Sequence, residues 1–184
     1  MKLVVPVLAS ALAISIGLSV ASAGGPAAGQ APDSAPGLQS DLLKDWQGLK
    51  DTMVKLGDAM PPDKFDFKPT PAQRTFGEQL MHVAGANVGL MKLLDPKAAP
   101  PALPEKPTAK ADILKALADS FDFGTTVLRG QTDTSLQATV QGPRYLGPST
   151  GARIVYRAIA HTWDEYGAMT VYLRLNGIVP PASR

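Results

Sequence analysis

Cysteine is absent from the chain, which removes disulfide staples, thiolate metal sites, cysteine nucleophiles and lipid attachment through a thiol. Histidine is nearly absent: only two occur in 184 residues, so a metal would have to be held by these together with Asp or Glu. No run of basic residues occurs, and 18 Lys and Arg against 16 Asp and Glu leave a formal net charge of +2, so the electrostatic footprint of a nucleic-acid binder is missing. Neither G-x-G-x-x-G nor G-x-x-x-x-G-K-[ST] is found, and the zinc-protease pattern of two histidines four apart with a Glu between them is absent. A serine hydrolase needs a nucleophile elbow with a His and an acid, and that class is set aside. The chain does have enough apolar material for one packed domain, with 45% hydrophobic and 18% charged residues.

The N-terminus reads differently from the rest. Met1 and Lys2 precede an apolar stretch from Leu3 to Val20, and Ala21-Ser22-Ala23 gives a small-residue cleavage pattern, so residues 1–23 are expected to be a secretory signal peptide. Such a stretch is also just long enough to stay as a membrane anchor. Residues 24–37, rich in Gly, Ala and Pro and without periodicity, read as a flexible leader. The folded domain is expected over 38–181, in an exported protein that is periplasmic or secreted and no longer attached to the membrane once cleaved.

Four helical segments follow, separated by proline-rich breaks. Leu38, Leu42, Trp46, Leu49, Met53, Leu56 and Met60 recur at three- and four-residue spacing until Pro61-Pro62 stops the run. Phe65 to Pro71 reads as an extended connector that tucks its rings against the bundle. Thr75 and Glu78 form a capping box for a second helix carrying Phe76, Leu80, Val83, Asn87, Leu90 and Leu94. Asp95 to Pro107 holds five prolines and must be a loop. Thr108 is expected to cap a third helix with Ile113, Leu117, Phe121 and Leu128, ending near Gly130. Residues 131–150 read as a loop with a short extended piece around Leu136 to Val140. From Gly151 a fourth helix sets Ile154, Ala158, His161, Glu165, Ala168 and Tyr172 on one face and stops at Asn176-Gly177. The fold class expected is all-α, a four-helix bundle.

Both histidines fall inside predicted helices. His161 and Glu165 lie four residues apart, so they project from one face a turn apart and can grip one ion together. If His82 faces them from the second helix, the set is two imidazoles and one carboxylate, which suits zinc, nickel, iron or manganese and leaves positions free for water or substrate. Each residue also has an ordinary use, since a helical His is often a half-buried polar residue and i,i+4 His–Glu pairs commonly stabilise surfaces. Glu78, four residues before His82, is better explained by the capping box. Gly85, Ala86 and Gly89 either let a neighbouring helix approach closely or leave a void beside the ligand face, and close packing is the expected reading.

The segment from Phe67 through Ala84, with its Thr75-Phe76-Gly77-Glu78-Gln79-Leu80-Met81-His82 core and Asn87 beyond, resembles the second-helix region of DinB-like proteins. His161-Thr162-Trp163-Asp164-Glu165-Tyr166-Gly167 and the run from Val171 to Pro181 resemble the fourth. The likeness spans about residues 38 to 181. It implies an up-up-down-down four-helix bundle, often a homodimer, with a divalent metal held by one His on the second helix and an H-x-x-x-H pair on the fourth. His82 and His161 match the first two ligands, and Glu165 stands where the family has its third His. A carboxylate there still binds a divalent ion, favouring harder metals or giving zinc a less acidic water; alternatively it marks a relative that has lost its metal.

The resemblance implies either transfer to a small thiol whose pKa the ion lowers, or hydrolysis in which water is activated in the same way. Export shifts the weight toward hydrolysis or simple binding. The enzyme reading has His82, His161 and Glu165 hold the ion, with Tyr166 or Asp164 assisting by hydrogen bonding to a small-molecule substrate. The competing reading is a non-catalytic periplasmic binding protein whose metal site is degenerate because of Glu165.

Overall fold

The apolar rows of the sequence become the inner faces of four long helices in the computed structural model, which describes residues 36–183. The proposed signal peptide and all but the last two residues of the leader lie outside the described residues. Helix α1 runs Leu38–Ala59, α2 Phe76–Met91, α3 Lys110–Arg129 and α5 Gly151–Leu175, with a short α4 at Asp133–Gln137. Trp46, Leu49, Met53 and Leu56 of α1, and Met60 just past its end, are buried as their spacing predicts. They meet Leu80, Val83 and Met91 of α2, Ile113, Leu117, Phe121 and Leu128 of α3, and Ile154, Val155, Met169 and Leu173 of α5 in one apolar core. Among the described residues no helix is long and apolar enough to cross a membrane.

Helices α2 and α1 each pack on both α3 and α5, so α1 and α2 occupy opposite corners of the bundle. Tertiary bonds fix the helix directions. Lys110 at the start of α3 donates to the Met60 carbonyl just past the end of α1 (3.1 Å), and Gln39 at the start of α1 donates to the Leu128 carbonyl near the end of α3 (2.9 Å), so these two are antiparallel. Ile113 lies against Gly77 and Ser120 bonds to Asn87, so α2 and α3 run the same way. The Tyr172 hydroxyl near the end of α5 donates to the Arg74 carbonyl just before α2 (3.0 Å), which turns α5 back. The bundle is the expected four-helix one, but the chain order of directions is up-down-down-up, not up-up-down-down. The long proline-rich segment after α2 is what allows α3 to start at the same end as α2.

Local signals explain most boundaries. The Thr75 hydroxyl accepts from the Glu78 amide (3.0 Å) while the Glu78 carboxylate accepts from the Thr75 amide (2.7 Å), the reciprocal cap predicted from the sequence. That amide, the largest influence, holds the Glu78 carboxyl below its ordinary pKa. The first amides of α1 are capped from a distance, by the Asp133 carboxylate on α4, which accepts from Leu38 (3.2 Å) and Gln39 (2.8 Å). Helix α5 ends at Gly177, whose φ of +72° favours glycine, with Gly177 and Ile178 amides donating back to the Arg174 and Leu173 carbonyls.

Two local expectations fail. Thr108 does not cap α3; the N-cap residue is Ala109, whose methyl offers no acceptor. The segment around Leu136 is not extended, since Leu136 is the buried residue of α4. The extended piece begins later, as strand β1 (Thr139–Gln141), which pairs antiparallel with β2 (Pro148–Thr150) in the register Thr139 to Thr150 and Gln141 to Pro148. The hairpin delivers the chain directly into α5, with the Thr150 hydroxyl accepting from the Arg153 amide (3.2 Å). The connector rings do tuck in: Phe65 is buried edge-on to Phe76, and Phe67 meets Tyr172.

Candidate metal centre

Antiparallel α2 and α5 bring His82 and His161 face to face. Their Nε2 atoms lie 3.2 Å apart, and Glu165 Oε1 is 3.4 Å from the former and 3.5 Å from the latter. All three candidate ligands therefore converge, and their ligand atoms can hold one metal ion. The fit is geometric as well as chemical. Atoms about 2.0–2.1 Å from a tetrahedral ion sit about 3.3–3.4 Å from one another, which matches this triangle. Two ring nitrogens and a carboxylate oxygen meet with no cationic side chain among their hydrogen-bonded partners in the described residues, and in the tautomers that turn both Nε2 lone pairs inward they make a set that a cation suits. His82 is the most open at 32% side-chain exposure, against 15% for His161 and 14% for Glu165, so access is from the α2 side. A cavity of about 740 Å³ adjoins His82 there, with Phe65, Met81, Leu103 and Ile113 as apolar wall and Arg74 and Lys106 among its charged groups.

Burial, the largest influence, pushes the His161 pKa below its ordinary 6.5; Glu165 opposes this, and the charges of His82 and Arg157 add to the lowering. The neutral imidazole is thus favoured, which is the form that binds a metal. In an ion-free chain the unfolded state takes up the His161 proton near 6.5 while the folded state resists it. Stability is therefore expected to fall as pH drops below 6.5 toward the folded value, and to be indifferent to this residue above 6.5. Thermal melts of chelator-treated protein across about pH 5 to 8 check this: the slope below 6.5 should be steeper for the native chain than for His161→Asn, and equal slopes would refute it.

Gln79 escaped the sequence reading. It is buried, stands one turn before His82, and donates from Nε2 to Glu165 Oε2, while its Oε1 accepts from Arg74 Nη1 at 3.4 Å. A polar residue three positions before His82 on a helix was the only available signal, because its partner lies 86 residues away. The buried polar seam between the helices was also invisible: Thr162 donates to Asn87 Oδ1 (3.3 Å) and Asn87 to Ser120 (3.3 Å), tying α5, α2 and α3 together. Burial first, then the charge of Glu165, raises the Tyr172 pKa.

Asp164 and Tyr166 stand outside the convergent set. Asp164 is exposed and reaches His161 through its charge, and Tyr166 packs edge-on against Trp163. Gly85 and Gly89 do not mediate close packing: both are exposed, and a Cβ on either would meet nothing within 4 Å. Both glycines face open space, and neither lines the cavity that adjoins His82. The serine-hydrolase class was set aside for want of a G-x-S-x-G motif, yet Gly147-Pro148-Ser149-Thr150-Gly151 does match that spacing where β2 leads into α5; it is nevertheless not a nucleophile elbow. Ser149 is buried, donates to the Gly147 carbonyl (3.2 Å), and is held at a backbone φ that is not positive.

The profile of the DinB superfamily matches residues 46–169. Among solved structures, the chain is similar to a DinB-like protein from Bacillus cereus, with 19% identity, a TM-score of 0.66, and coverage of 76% of this chain and 93% of that one. It is also similar to a DinB-like protein from Bacillus subtilis, with 15% identity, a TM-score of 0.62, and coverage of 74% and 92%. No curated protein matches the chain. The two structural likenesses bear on the fold, and the profile match, which includes His82, His161 and Glu165, shows that the chain belongs to the DinB superfamily.

Proposed function

We propose that His82, His161 and Glu165 hold a divalent ion with which the protein hydrolyses, or transfers a group on, a small molecule. The observation that carries this reading is the convergence of three ligand atoms from α2 and α5 at mutual distances of 3.2 to 3.5 Å. An ion bound there supplies Lewis acidity, lowering the pKa of water or a small nucleophile. The two imidazoles would orient it through Nε2 and Glu165 would offset part of its charge through Oε1, beside the partly apolar cavity that adjoins His82. Asp164 and Tyr166, which flank Glu165 in the sequence, would assist by hydrogen bonding to the substrate. Zinc suits the separations, while the carboxylate also admits manganese, iron or nickel.

Export of the mature chain after residue 23, and with it hydrolysis over thiol transfer, belong to the same proposal, as does a homodimer. Exposed Tyr156, Trp163, Val171 and Leu175 along one side of α5 suit that assembly. A second reading, a non-catalytic binder, draws support from His161 Nδ1, which is buried without a hydrogen-bond partner among the described residues, whereas a ligating His ordinarily donates from its other nitrogen. Elemental analysis of purified protein after incubation with each metal separates the two readings. About one ion per chain is expected; less than about a tenth in every case sinks the metal centre.

A further inference from the structure

We propose that Gln79 is a positioning residue that holds Glu165 to ligation through a single oxygen, leaving open the coordination position that the second oxygen would otherwise take. The inference deepens the metal-centre reading and rests on it. A carboxylate can grip an ion with one oxygen or with both. Here the two oxygens are divided: Oε1 faces both imidazoles, and Oε2 accepts from the Gln79 amide. Gln79 is only 7% exposed, so water cannot readily replace it as donor.

The orientation of the amide is also set. Arg74 donates to Gln79 Oε1, which leaves the NH2 group for Glu165, since a guanidinium has donors alone. Arg74 is tethered in turn, its carbonyl accepting from the Tyr172 hydroxyl on α5. The path thus leaves α5 at Glu165, crosses Gln79 and Arg74, and returns to α5 at Tyr172. A histidine at 165 would present a single ring nitrogen to the ion and have no second oxygen to restrain. The glutamine donor and the carboxylate therefore work as a pair.

The test uses cobalt(II) as probe, because its visible absorption is strong in four-coordinate sites and weaker in five- or six-coordinate ones. Gln79→Leu should lower that absorption several-fold as Oε2 joins the ion, and weaken zinc affinity about 10- to 100-fold in competition with a chromophoric chelator. In a Glu165→His background the same change should alter neither readout. Wild-type absorption and affinity in Gln79→Leu would overturn the proposal, and so would equal losses in both backgrounds, which mark a merely structural role. Should Gln79→Leu fail to fold, Arg74→Met at an exposed site takes its place: a smaller shift in the same direction supports the proposal, and no shift overturns it. Failure of the unaltered chain to take up cobalt or zinc would overturn the metal centre itself, and is seen before any variant is compared.

Discussion

Replacing His161 with alanine is expected to weaken divalent-ion affinity by at least about a hundredfold while leaving the fold nearly as stable as before. The size follows from sharing the roughly 10–16 kcal/mol of a four-ligand zinc site among its ligands, which assigns about 3 kcal/mol, or two orders of magnitude, to each. The selectivity follows from the structure. Among the described residues His161 Nδ1 has no partner and Nε2 faces His82 and Glu165 alone, so truncation strands no buried backbone group. Calorimetric titration with zinc, paired with a thermal melt of the ion-free form, reads both quantities. Equal affinity in variant and native chain would return the residue to ordinary packing.

The largest loss of stability is expected at the contact between α1 and α3. Trp46 is fully buried, stacks at a tilt on Phe121 with centroids 4.8 Å apart, and donates its indole N–H to the Phe121 carbonyl at 2.9 Å. Trp46→Ala should cost about 3–5 kcal/mol. Gly124 is the other half of the contact, because a Cβ there would lie 2.4 Å from Trp46 Cζ2 and 2.7 Å from Cε2. An exposed helical Gly→Ala gains up to about 1 kcal/mol from propensity. Here overpacking against an enclosed ring should outweigh that gain, so Gly124→Ala lowers stability by roughly 1–3 kcal/mol. Once Trp46 is alanine the clash is gone, so the two losses should fall well short of adding. Denaturant titration of the four chains decides: a Gly124→Ala protein at least as stable as the native one would contradict this account.

Helix positions were legible because burial imposes a three-to-four spacing that survives without tertiary knowledge; Trp46, Leu49, Met53 and Leu56 illustrate it. Caps were legible where donor and acceptor lie within one turn, as at Thr75 and Glu78, and not where the acceptor arrives from elsewhere, as Asp133 does for α1. At Thr108 a good capping type sits one residue too early, and the chain enters α3 at Ala109 instead. The pair on α5 was readable from its spacing, but whether His82 meets it depends on how α2 is rotated, which spacing cannot give. Helix direction was not readable either, because an amphipathic stripe looks alike from both ends. Gln79, Asn87 and Thr162 were visible as polar residues in apolar helices, without any hint of their partners.

The donor set is split unevenly, with His161 and Glu165 on one helix and His82 alone on the other. Any loosening that draws α2 away from α5 separates one donor from two, and a tridentate chelate becomes a bidentate one. Ion retention would then register the integrity of that seam, and a chain with a partly opened bundle would surrender its metal well before its helices melt.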